Sequence, residues 1–196
     1  MEQKRVLHIM VDLETASKKE NAAILSWAMV PFFTDGNEVE DVNPFYALVN
    51  LTSCFLCDMD IEKDTQQWWI GQDPIAKHQL TQGISYHIHD VANEAFAYLE
   101  AFSSKYDIHL WSRGLDFDIP KIEWCFNQFV ERPIPYKYSH KMDVRSILKF
   151  TNVDQSQFEF EGIKHNSLDD CKHDIKMIQY AYARMNELKE YINNIK

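Results

Sequence analysis

Three apolar runs open the chain, and none of them keeps helical spacing. Residues 5–13 predict a buried first strand, residues 22–33 a second with Ser26 inside it, and residues 45–51 a third. Asp35-Gly36-Asn37 is a turn signal, which predicts antiparallel neighbours. Beyond these the period changes. Residues 64–80 predict a helical segment carrying Trp68 and Trp69, and residues 91–106 set Val91, Ala95, Tyr98, Leu99 and Phe102 at amphipathic-helix spacing. A short strand is expected at 108–111, helices at 119–129 and 144–150, and a polar loop at 151–164. A closing helix over 167–191 carries Leu168, Ile175, Ile178, Ala181, Tyr182 and Met185 on its apolar side. Strands first, then alternating helix and strand, imply an α/β fold: one mixed sheet flanked by helices, in a single domain spanning 1–196.

The first strand ends unusually. Asp12 and Glu14 stand two positions apart, so they share one face, roughly 7 Å apart along the strand. Two like charges on one face of a core strand are costly unless positive charge lies between them. A divalent cation supplies that charge, so the pair points to a metal site on a rigid strand. A solvated strand end is the plainer reading.

Composition narrows the class. At 196 residues and 45% apolar content the chain can bury a sizeable core, and no repeat or low-complexity segment is visible. No run approaches the roughly 20 apolar residues of a membrane span, and no signal-length apolar run follows Lys4 and Arg5. A cytoplasmic protein without a membrane partner is expected, in the host cytoplasm if phage-encoded. Cys54, Cys57, Cys125 and Cys171 read as reduced thiols, because no second Cys/His pair at ligand spacing follows Cys54-Phe-Leu-Cys57. A net charge of −10 argues against a protein that coats nucleic acid through phosphate neutralisation. It leaves room for an enzyme that grips a chain end through bound cations.

Further carboxylates are expected where helices flank the sheet. Asp118 follows Trp111-Ser112-Arg113-Gly114-Leu115-Asp116-Phe117, and Asp170 closes His165-Asn166-Ser167-Leu168-Asp169-Asp170. Each has a plainer reading: Asp118 as a helix N-cap before Pro120, Ser167 and Asp170 as a capping box, His165 as a loop histidine. Their joint occurrence, an apolar element and then an acid at separated places, favours one shared site.

That ordered set resembles the DEDD, or DnaQ-like, 3′–5′ exonucleases of the ribonuclease H-like fold, in their His-containing (DEDDh) variant. Asp12-Leu13-Glu14-Thr15 is similar to their first motif, Phe117-Asp118 to the end of the second, and His165 through Asp170 to the third, which assigns the metal role to Asp170 rather than Asp169. Asn21 through Ser26, Trp68-Trp69 with Gln72, Trp111 before Gly114, and Asp143-Val144-Arg145 resemble the subgroup of DexA-type phage exodeoxyribonucleases and RNase AS-type exoribonucleases. Arg113-Gly114 departs from many relatives and stands nearer the DexA type.

The resemblance implies a catalytic set of Asp12, Glu14, Asp118, His165 and Asp170, with the four carboxylates holding two Mg²⁺ or Mn²⁺ ions roughly 4 Å apart. His165 is implied as general base. Thr15, Ser26, Trp68, Trp69, Arg113, Phe117 and Arg145 are candidate substrate contacts, one of the two tryptophans being expected to stack on a base. Lys137 and Lys141 are further candidates for phosphate. Single-stranded DNA 3′ ends are the expected substrate, releasing nucleoside 5′-monophosphates, with RNA as the alternative and a homodimer implied by the RNase AS likeness. A non-catalytic nucleic-acid-binding module and a haloacid dehalogenase-type phosphatase are the competing classes; the latter needs Asp where Glu14 stands.

Overall fold

The computed structural model describes residues 4–40 and 42–195. Strand β1 (Val6–Thr15) pairs antiparallel with β2 (Ile24–Phe32), and β2 with β3 (Phe45–Val49). Strand β4 (Ser85–Tyr86) runs parallel to β3; on the other side β5 (Asp107–Ser112) runs parallel to β1, and β6 (Lys141–Asp143) parallel to β5. The resulting sheet has the order β4-β3-β2-β1-β5-β6, mixed as expected. The long central strands were legible in the chain, whereas β4 and β6 are too short to carry an alternation signal.

The helices are α1 (Leu51–Leu56), α2 (Lys63–Ile70), α3 (Pro74–Gln79), α4 (Ile88–Ser103), α5 (Asp118–Phe129), α6 (Val144–Phe150) and α7 (Ser167–Ile195). Two expectations are corrected. The third strand ends at Val49, because the Asn50 side chain accepts the Ser53 N–H (3.2 Å) and starts α1. The segment over 64–80 is two helices, not one. Gly71 ends α2, and Asp73 caps α3 ahead of Pro74 by accepting the Ile75 N–H at 2.7 Å.

Strand alternation divides the core. Leu7, Ile9, Val11 and Leu13 of β1 pack with α4 and α5, around Phe96, Leu99, Ile122 and Phe126. Met10 packs on the opposite face with Ala28, Val30, Trp111 and, from α7, Cys171, Ile175 and Ile178. Asp12 and Glu14 have the parity of Met10, so they emerge on the α7 side where β1 runs out of apolar residues. On that face Trp111 donates its indole N–H to His8 Nδ1 at 2.7 Å, which fixes the neutral imidazole. No helix among the described residues is long and apolar enough to cross a membrane.

Candidate active site

Asp12, Glu14, Asp118, His165 and Asp170 all line one cleft of about 690 Å³, together with Trp68, Arg113, Phe117, Arg145 and Asp174. β1 supplies the first two on their shared face. The β1–β5 ladder ends at Met10–Trp111, and three residues later the Leu13 N–H donates to Asp118 Oδ1 at 3.3 Å. Asp118 is therefore the first residue of α5, with Phe117 at the cap position, rather than a cap itself. Its carboxylate ties the helix to the strand.

The third motif also avoids its expected capping role. Asn166, not Ser167, caps α7: its Oδ1 accepts the Leu168 N–H at 3.1 Å and the Asp169 N–H at 3.3 Å. Ser167 instead pairs with Ser26 across 3.0 Å, tying α7 to β2. Asp169 turns away, accepting the Ile163 N–H at 3.0 Å and pairing with Lys172. Asp170 is thereby left to face the cleft. His165 has φ of 65°, a left-handed conformation rare outside glycine, and that turn brings it to Asp170. One donor atom each of Glu14, His165 and Asp170 lies within 4.8 Å of the other two.

Crowding acid groups in a half-closed cleft shifts their protonation. Burial first, then the charges of Asp118, Glu14, Asp170 and Asp174, hold Asp12 well above the usual carboxylate range. Glu14 is pushed up to about 8 by burial and by Asp170 and Asp118. Burial raises Asp118 to about 7 against the opposing Leu13 hydrogen bond, and raises Asp170 to about 6 with help from Asp174. His165 is lowered by burial and by Lys164, which keeps it neutral at neutral pH. Lys121 offsets part of the charge on Asp118 and Arg113 part of that on Asp170.

The other candidate contacts separate into two groups. Trp68 is 46% exposed at the cleft and sets its ring edge-on to His165, with centroids 5.0 Å apart. Trp69 is 9% exposed and donates its indole N–H to the Thr15 carbonyl at 2.9 Å, so it anchors α2 to the end of β1. Phe117 and Arg145 line the cleft. Lys121, itself buried, donates to the Phe117 carbonyl at 3.1 Å and lies 3.4 Å from the centre of its ring, which immobilises that residue.

Several expected contacts are corrected. Ser26 is 0% exposed and held by Ser167, and the buried Thr15 hydroxyl is spent on the Ser17 carbonyl at 2.8 Å. Lys137 and Lys141 lie away from the cleft, paired with Asp107 and Glu123. Arg113 lines the cleft but grips Asp174 through Nε at 3.1 and 3.0 Å.

Asp174 was missed from sequence. It stands four residues after Asp170, one turn along α7 on the same face, and that spacing was the available signal. Asp143, which stands out in the sequence only through the family likeness, caps α6 and also accepts the Gly114 N–H at 3.0 Å. Gly114 has φ of 109°, a conformation that strains any other residue, and a Cβ there would lie 2.6 Å from an Arg145 nitrogen and displace that guanidinium.

A mixed sheet of this order, with acids delivered by its central strand and two helix starts, is that of the ribonuclease H-like fold, and the family and relative that the chain matches make it a DnaQ-like 3′–5′ exonuclease. Within that class the chain belongs to the family of the Rv2179c-like 3′–5′ exoribonuclease domain, whose family model matches residues 7–182. It is 25% identical over 205 residues to an exodeoxyribonuclease of Enterobacteria phage T4, covering 88% of this chain and 87% of that one.

Solved structures with the same fold include exonuclease I of Methylocaldum szegediense, with a TM-score of 0.67 at 11% identity over 96% of this chain and 43% of that one. Exonuclease I of E. coli in complex with a dA16 oligonucleotide gives 0.65 at 12% identity, covering 97% and 43%. S. pombe Pop2p in a Mg²⁺- and Mn²⁺-bound form gives 0.52 at 12%, covering 90% and 83%. The chain thus spans less than half the length of the exonuclease I chains it matches. At these identities the likeness is one of fold.

Proposed function

We propose that the chain removes nucleotides from single-stranded DNA 3′ ends by hydrolysis that depends on two divalent metal ions. The observation that carries this reading is the convergence of Asp12, Glu14, Asp118, His165 and Asp170 in one cleft. The donor set fits the ions: four carboxylates present hard oxygen ligands and excess negative charge, which suits Mg²⁺ or Mn²⁺ far better than Zn²⁺. Asp12, Glu14, Asp118 and Asp170 would hold them. When bound, the ions supply Lewis acidity toward the scissile phosphate and lower the pKa of attacking water.

The protein's own groups do the rest. His165, kept neutral by burial, is the base that takes the water proton. Trp68 and the braced Phe117 offer flat faces at the cleft for terminal bases. Arg145 and Lys164 offer positive charge for the phosphates of the incoming strand. Arg113 neutralises Asp174, so the α7 face presents one free carboxylate rather than two.

DNA is favoured by the relative from phage T4, which matches over nearly the whole chain and is an exodeoxyribonuclease. RNA is the second reading, favoured by the family's own description as exoribonucleases. Labelled DNA and RNA oligonucleotides incubated with Mg²⁺, Mn²⁺ or chelator decide between them. A 5′-labelled single strand of DNA is expected to shorten stepwise, with 5′-monophosphates as product and no reaction in chelator. Faster shortening of RNA would replace the first reading by the second. No release from either, with binding intact, would leave a binding module.

Three substitutions test the supporting parts. Trp68→Ala is expected to raise KM for oligonucleotides roughly tenfold through the lost stacking, whereas Trp69→Ala should lower Tm first. Equal KM in the Trp68 variant and the parent removes the stacking role. Asn166→Ala should cost about 1 kcal/mol of stability as a lost cap. It should lower kcat by more than that loss explains, because the same turn aims His165. Unchanged kcat at lowered Tm would show that the cap does not position the base.

A further inference from the structure

A second group of ligand-type side chains lies at the other end of the parallel ladder. Asp107 and His109 are two positions apart on β5 and share the face that carries Trp111. His140 ends the turn Tyr138–His140 that leads into β6, the neighbouring strand. One donor atom from each of the three lies within 4.8 Å of the others. The two imidazoles have centroids 4.2 Å apart, and the His109 ring meets His8 and His140 without a hydrogen bond among the described residues. His140 Nδ1 lies 3.3 Å from the Ile108 carbonyl and 3.4 Å from Asp107 Oδ1. A proton on that nitrogen leaves Nε2 a free lone-pair donor. All three residues are half-buried, and Asp107 also borders a cavity of about 620 Å³ together with Lys4, Tyr136 and Lys137.

We propose that Asp107, His109 and His140 bind one borderline divalent transition-metal ion of the Zn²⁺ or Co²⁺ class. Two imidazoles and one carboxylate are the donor set such ions take, and one that Mg²⁺ refuses. Ligand atoms around a tetrahedral ion stand roughly 3.3 Å apart at the usual bond lengths, so side-chain torsions alone close the cluster. The positive charge the site calls for is already there in another form. Lys137 Nζ sits 3.1 and 3.3 Å from the two Asp107 oxygens and must swing into solvent when an ion enters. Asp107 pairs with Val6, six residues before Asp12, so this site is about 20 Å from the carboxylate cleft. The two cannot share an ion. An ion here would clamp β6 to β5, and β6 ends in Asp143, the residue that holds Gly114 and caps α6.

The test titrates Zn²⁺ and Co²⁺ into the full chain with Mg²⁺ in excess, reading calorimetry and the visible spectrum of bound Co²⁺. One ion per chain is expected, with a low-coordinate Co²⁺ spectrum. His109→Ala and His140→Ala should each weaken binding by roughly 100-fold or more, beyond what loss of an outer-shell partner does. Asp12→Asn should leave the affinity within about twofold, as for distant independent sites. Lys137→Met should strengthen binding, because the competing ammonium is gone. Zn²⁺ affinity unchanged by His140→Ala, lost with Asp12→Asn, or absent in the parent chain would overturn the site. Should His109→Ala fold poorly, His140→Gln on its surface turn gives the same reading.

Discussion

Asp12→Asn is expected to abolish nucleotide release while making the metal-free protein more stable. The loss in kcat should exceed about a thousandfold, since even partners that merely orient a ligand are worth 10- to 100-fold. The gain has a separate cause. Asp12 is half-buried beside Glu14, Asp118, Asp170 and Asp174, and each of those charges opposes its ionisation. Asparagine keeps the shape and removes one negative charge, which should add about 1–3 kcal/mol to stability without metal. The gain should be larger at pH 9 than at pH 6, because protonation already relieves the repulsion at the lower pH. Paired kcat and Tm measurements in chelator check both halves. An active variant sinks the assignment of Asp12 to the metal set, and a lower Tm sinks the charge-crowding argument. Function and stability pull in opposite directions at this strand end, as is common where a site stores unfavourable charge.

How much of this was legible beforehand depends on the range of the interaction. The parity of Asp12 and Glu14 follows from strand geometry alone, so their shared face was readable in the chain. Helices α5 and α7 were readable from periodicity, and their acidic starts from position. What the chain left open was which carboxylate caps its helix and which looks outward. That choice belongs to partners far away in sequence: Leu13 claims Asp118 across 105 residues, and Ser26 takes Ser167 across 141. The adjacent tryptophans show the same limit. Helical geometry separates Trp68 from Trp69, but only the Thr15 carbonyl decides that Trp69 is the buried one. Arg113 is no more than a candidate phosphate contact in the chain, because its bidentate partner Asp174 arrives from 61 residues on. Charge pairing over such distances leaves no local pattern to read.

In chelator, stability is expected to fall as pH rises from about 6.5 to 8.5, and saturating Mg²⁺ should reverse that trend. Glu14 titrates near 8 in the folded protein against an ordinary value of 4.5, and Asp118 near 7 against 3.8. A group whose folded pKa is raised binds its proton more tightly when folded. The stability it lends is complete below the unfolded pKa and is lost as pH climbs through the folded one. Groups that share protons do not add, so the joint loss across this window is on the order of 2–3 kcal/mol, or roughly 5–10 °C in Tm. His8 works in the other direction: burial and then His109 hold it at about 4, so its contribution is lost as pH falls below 6.5. Keeping the titration above 6.5 therefore isolates the carboxylates. Mg²⁺ binds the ionised cluster, competes with protons, and stabilises by mass action most strongly at the alkaline end. A Tm that stays level across this window, with and without Mg²⁺, would mean the acids lie too far apart to feel one another or to share an ion.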